Sequence, residues 1–252
     1  MTLSTIFQLI KRQLKENYQF YLISAAVLLG LLSFLFLLIH QWRDSFSGAV
    51  QNGVFLIGLF VSGGIITNSM FQEFADPSKA MWFLGIPAKQ AEKIVATILM
   101  STVAFLIVYI GIYYLVDWGY VLLTYKKYGS GPLNLFKNGF YYFLFTYLTF
   151  NGIVLLGSIL FSKHSFIKTI LATILGFVIQ YHLNDFMLEL MIPEVTVTSS
   201  MPLGGFQFVD QGENVYVSLP EGVGEFNDFC VRYLLPLLLW SIAWLRLKEK
   251  EV

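Results

Sequence analysis

Residues 21–39 read YLISAAVLLGLLSFLFLLI, nineteen positions without a charged side chain. A helix needs roughly 20 apolar residues, each rising about 1.5 Å, to cross the hydrocarbon of a bilayer. The run exceeds the apolar core of a cleaved signal peptide, and no small-x-small site follows it, so it is expected to stay in the membrane. The rest of the chain agrees. Of 252 residues, 56% are hydrophobic and 17% aromatic, while only 13% are charged, about half the usual share of a soluble domain. Mean hydropathy is +0.67. A core built in water could not hide this much apolar surface.

Five more stretches qualify as spans, which makes the set 21–39, 50–71, 94–116, 139–161, 166–183 and 231–247. The expected fold is an all-α integral membrane protein of six transmembrane helices. Its transmembrane domain covers 1–183 and 231–252. Lys and Arg near the span ends set orientation. Eleven lie on the side of the N-terminus, the 72–93 loop, the 162–168 turn and the tail; five lie on the other. Both termini are therefore expected in the cytoplasm. Residues 185–228 hold eight acids and no Lys or Arg, which puts half the acidic charge on the outer face.

Four segments do not span. At the N-terminus, Leu3, Ile6, Phe7, Ile10 and Leu14 form one apolar stripe, with Lys11, Arg12, Lys15 and Glu16 mostly off it. Such a helix lies in the headgroup plane with its cations near anionic lipid. Between spans two and three, residues 72–93 read QEFADPSKAMWFLGIPAKQAEK. Gln72–Leu84 suits a short helix anchored by Phe74, Met81, Trp82 and Phe83, with Glu73, Asp76 and Lys79 as its polar groups. Gly85-Ile86-Pro87 breaks it, and a new helix starts at Pro87 and runs through Glu92 and Lys93 into span three. The expected result is a rigid, charged elbow at the membrane surface. The 117–138 loop, with Trp118, Tyr120, Tyr125 and Tyr128, reads as an interfacial anchor. Residues 184–230 read as a small extracytoplasmic α+β insertion between helices five and six. In it Val195-Thr-Val197 alternates, and 206–219 forms a β-hairpin around Asp210–Asn214.

Several classes of function are excluded or weakened. Zero net charge argues against nucleic acid as a partner. Cys230 is the only cysteine, so no intrachain disulfide forms. Asp117, Lys168 and His182 sit at span ends, which weakens a proton- or sodium-coupled carrier. His40, His164 and His182 stand apart, and neither HExxH nor GxSxG occurs, so an intramembrane hydrolase is disfavoured. No GxxxxGK[ST] loop is present either. The chain is read as no enzyme: it carries no cofactor, and any ATP belongs to a partner.

Span five carries a polar stripe. Thr169, Thr173, Gly176, Gln180 and Asn184 share one helical face. It reads either as the lining of a substrate path or as helix–helix glue. Thr67 and Asn68, at the inner end of span two, give a weaker hint of the same kind.

Taken together, the amphipathic first helix, the six spans, the charged elbow and the outer insertion resemble an ABC-2 type transporter permease. The specific part is Phe74…Trp82-Phe-Leu-Gly-Ile-Pro87-Ala-x-x-x-Glu92-Lys93, which is similar to the L-x-x-P-x-x-x-x-E/K stretch of these permeases. The hairpin-bearing outer segment departs from the short re-entrant helices common there. The resemblance implies an exporter subunit in the bacterial inner membrane, paired with a second permease copy and with two ATP-binding subunits. Residues 72–84 would be the coupling helix, and Glu73, Phe74, Asp76, Lys79, Trp82, Pro87, Glu92 and Lys93 its coupling residues. Spans two and five would line the path, with Thr67, Asn68, Thr169, Thr173 and Gln180 facing it. The alternative is a non-transporting membrane anchor or assembly factor whose acidic outer subdomain recruits a partner.

Overall fold

The computed structural model describes residues 3–42, 48–75, 89–128, 131–136, 142–161, 163–191, 197–201, 205–210, 213–218 and 220–249. Helix α1 is Leu3–Glu16, α2 is Tyr18–Trp42 and α3 is Gly48–Ala75. Helix α4 (Gln90–Leu99), a π turn (Met100–Ala104) and α5 (Phe105–Tyr128) follow one another without a break. Next come α6 (Tyr142–Leu160) and α7 (Ser165–Met191). Strands β1 (Val197–Met201), β2 (Gly205–Asp210) and β3 (Glu213–Ser218) precede α8 (Glu221–Phe229), a second π turn (Cys230–Leu234) and α9 (Leu235–Glu249).

Six segments are long and apolar enough to cross a membrane: Tyr18–Ile39, Gly48–Met70, Ala91–Leu123, Tyr142–Leu160, Ser165–Leu190 and Gly222–Glu249. Each contains or closely matches one expected span. The main differences lie after residue 116, after residue 183 and before residue 231. Residues 117–128 of the expected loop are helical, because the Asp117 carboxylate finds its donors inside the protein and does not end the helix. It accepts hydrogen bonds from Gln51 Nε2 at 2.9 Å and from the Leu133 N–H at 2.8 Å. The expectation that ionisable groups stay at span ends is corrected here, since Asp117 is fully buried within the third span. Tyr120 is buried too, against Phe36. The outer insertion is trimmed on both sides. Helix α7 continues through the apolar run Phe186–Met191, and α8 leads straight into the last span.

What remains between them includes a three-stranded antiparallel sheet in the order β1-β2-β3. The expected hairpin is present, with Phe206 opposite Val217, Phe208 opposite Val215 and Asp210 opposite Glu213. Strand β1 adds along β2, with an irregularity between Val197 and Ser199.

The core has two parts. Leu28, Leu32 and Phe36 of α2 meet Val54, Phe55 and Leu59 of α3 and a tyrosine stripe on α5. Tyr109 and Tyr113, one turn apart, donate to the carbonyls of Phe55 at 2.6 Å and Gln51 at 2.9 Å. Buried tyrosines thus satisfy their hydroxyls on a neighbouring helix while packing their rings. The second part joins Met70, Ile94, Met100, Leu155, Ile159, Ala243 and Leu247. The stripe of α1 divides over it: Ile6 is buried and Ile10 packs on this cluster, while Phe7 and Leu14 stay exposed.

Half of the most apolar window of α6 is buried, against 6% for α7. Helix α6 is therefore the centre of the bundle and α7 its rim. Close approach allows this. A Cβ on Gly63 would run into the Tyr147 ring, and one on Gly157 would run into Thr169. The start of α7 lies beside the C-terminal end of α3, where Ser165 bonds Asn68. At ~1.5 Å per residue, α7 then carries the sheet to the end of the bundle opposite Ala75 and Lys89.

Candidate functional site

A layer of small neutral polar groups crosses the bundle between α3, the first π turn, α6 and α7. Thr67, Ser101, Asn151, Ser158 and Ser165 are fully buried, with Asn68 and Thr169 nearly so. Asn151 Nδ2 donates to Thr67 Oγ1 at 2.7 Å and reaches Ser101 Oγ at 3.3 Å and Ser101 O at 3.4 Å. Tyr147 OH donates to Ser101 O at 3.0 Å. Ser165 Oγ donates to Asn68 Oδ1 at 2.6 Å. Asn151 Oδ1 has no partner among the described residues.

Ser101 owes its role to the π turn. In an α-helix its carbonyl would take the N–H of Phe105. That N–H goes instead to Met100 O and Thr102 O, so the Ser101 carbonyl is skipped and the side chains of α6 reach it. The second π turn repeats the arrangement. The Leu235 N–H bonds Cys230 O rather than Val231 O, and Thr149 Oγ1 of α6 takes Val231 O at 3.0 Å.

Of the expected path residues, Thr67 and Asn68 belong to this layer, each bonded to a different helix. The stripe on α7 divides. Thr169 turns its hydroxyl back to Ser165 O at 2.7 Å and packs on Gly157, which is the glue arrangement. Thr173 bonds Thr169 O at 2.8 Å. Further along, Gly176 and Gln180 are exposed. A groove of about 420 Å³ between α6 and α7 is lined by Gly157, Leu160, Thr169, Thr173, Gly176 and Gln180 among others. Of the five α7 residues in the stripe, Thr169, Thr173, Gly176 and Gln180 line it and Asn184 does not.

The coupling residues are placed only in part. Asp76, Lys79, Trp82 and Pro87 lie outside the described residues. Glu73 and Phe74 fall in the last turn of α3. Glu92 and Lys93, expected to carry charge on an exposed elbow, are buried at 5% and 1% exposure. Glu92 is the third residue of α4, and its Oε2 accepts the Lys89 N–H at 3.3 Å. A carboxylate at that position caps its own helix and meets the positive end of the helix dipole.

Sequence reading missed Gln51, Ser101, Tyr147 and Asn151, and it placed Asp117 at a span end rather than inside the protein. Asn151 offered one signal, an amide in the middle of an otherwise apolar span. Chemically the layer holds donors and acceptors without a nucleophile–base pair, and no metal-binding cluster of His, Cys, Asp or Glu occurs among the described residues. It can register helices and shift hydrogen bonds between them. No family model, curated protein or solved structure matches this chain.

Proposed function

We propose that the chain is the permease subunit of an ATP-driven ABC-2 type exporter of the bacterial inner membrane, working as a dimer with separate ATP-binding subunits. The observation that carries this reading is a charged segment between the second and third of six apolar helices, in a sequence with no phosphate-binding loop of its own. On this reading both termini and residues 72–84 lie in the cytoplasm, α1 lies at the inner interface, and the sheet is extracytoplasmic.

The packing supplies a route for force. Residues 76–89 join α3 to α4, and Met70 of α3 and Ile94 of α4 share one buried cluster. A push on the elbow moves both helices together. From α3, the Asn68–Ser165 bond passes the motion to α7, whose groove face lines the path in this scheme. Packed helices of this kind switch between discrete arrangements rather than bending smoothly.

The test is co-purification and turnover. The chain should co-purify with an ATP-binding subunit, and Glu73→Lys should abolish ATP-dependent transport. A chain stable without any ATPase, together with an unimpaired Glu73→Lys variant, would sink the reading. Lys79 and Lys89 labelled from outside the cell would sink it as well.

A further inference from the structure

We infer that α6 is a register clasp: its side chains hold both neighbouring helices in the π form, and release converts each π turn to α. The two turns are far apart in sequence, at Met100–Ala104 and Cys230–Leu234. In each, the backbone N–H that should close an α turn skips one carbonyl, Ser101 O in the first and Val231 O in the second. In each, that skipped carbonyl is the one an α6 side chain takes, from Tyr147 and Asn151 in the first and from Thr149 in the second. Tyr147 and Asn151 are one turn apart on one face of α6. Thr149, two residues on, is about 200° round the helix from Tyr147. The donors thus point to opposite sides at nearly one level of the bundle.

The exchange nearly conserves hydrogen bonds. In the π form Ser101 O is paired with α6 side chains; in the α form it pairs with the Phe105 N–H. Inside a bundle that excludes water, a carbonyl left without either partner is costly, so the intermediate case is avoided and two states remain. A π turn holds one residue more than an α turn needs. Its removal therefore moves one flank by up to about 1.5 Å along the axis and about 100° around it. For the first turn the flanks are α4, which adjoins the elbow, and α5. For the second they are α8, which follows the sheet, and α9. A small rotation of α6 would withdraw donors from both neighbours together. Single π turns of this kind recur at functional positions in helices. The inference needs no ATPase, and its test is independent of the transport reading.

The experiment is magic-angle-spinning NMR of the full chain in bilayers, reading which carbonyl the Phe105 and Leu235 amides pair with. In the unaltered protein the Phe105 amide pairs with Met100 and Thr102, and the Leu235 amide with Cys230. In a Tyr147→Phe/Asn151→Leu variant the Phe105 amide should move to Ser101. In Thr149→Val the Leu235 amide should move to Val231, while Thr149→Ser, which keeps the hydroxyl, should retain the Cys230 pairing. If the double variant does not fold, the Thr149 pair decides alone, because that side chain lies at the margin of the core. Folded variants that keep both π pairings would overturn the inference, and so would a Thr149→Ser variant that behaves like Thr149→Val.

Discussion

Ser165, the first residue of α7, donates its hydroxyl to Asn68 Oδ1 near the C-terminal end of α3 at 2.6 Å. This bond ties the rim of the bundle to the helix that leads into the elbow. Interhelical hydrogen bonds in membranes average about 0.6 kcal/mol and reach about 1.7 kcal/mol. Ser165→Ala should therefore leave the fold and the complex intact. On the exporter reading proposed above, if α3 drives α7 through this bond, the variant should still co-purify with an ATP-binding subunit yet lose most ATP-dependent transport. Transport at the unaltered rate in vesicles would exclude that route.

Asp117 holds Leu133 and Gln51 in place through both carboxylate oxygens. Asp117→Leu removes the acceptor of the buried Leu133 N–H, a loss of about 1–3 kcal/mol, and leaves Gln51 Nε2 with the Gly131 carbonyl alone, at 3.2 Å. The expected outcome is a lower unfolding midpoint and fast hydrogen exchange at the Leu133 amide. An amide as protected as before would show that the segment 131–136 is held without Asp117, by Leu133 and Leu135 packing and by the bonds from Tyr114 OH to Leu133 O and from Gln51 Nε2 to Gly131 O.

Gly157 and Thr169 fit as one contact. Gly157→Ala should destabilise the chain by about 1–3 kcal/mol through overpacking. Thr169→Ala alone should cost less, and the double variant should recover much of the loss. Additive losses in a double-mutant cycle of unfolding in detergent would mean that the two positions do not share the contact.

Glu92 offers a direct discrimination. Its side chain accepts a backbone N–H at the start of α4, and Gln can do the same without charge. Glu92→Gln should keep wild-type stability and transport, whereas Glu92→Ala should cost about 0.5–2 kcal/mol as a lost cap. A Gln variant as impaired as the Ala variant would point to the charge itself.

The spans were legible because hydropathy is a local property: Tyr21–Ile39 announces a membrane helix whatever its neighbours do. The hairpin was legible for the same reason, since alternation in 206–209 and 215–217 and the polar turn between them are written within fifteen residues. The polar stripe on α7 was legible as a stripe, and it lines a groove. Its division into packed and open ends was not, because Thr169 is set by Gly157, a residue on another helix. Glu92 and Lys93 were read as exposed charge because nothing in the 72–93 stretch shows that α4 packs them inward.

Composition and period alone determined that this chain lives among apolar neighbours, how many times it can cross a membrane, and where its charged segments interrupt the crossings. Only the tertiary structure decided that Asp117 is an internal acceptor, that Asn151 and Tyr147 meet Ser101, and that two helices carry π turns against α6. Those outcomes are pairings between groups 16 to 82 residues apart. In a medium without water, a polar group must find its partner within the protein, and which partner it finds is set by how the helices pack.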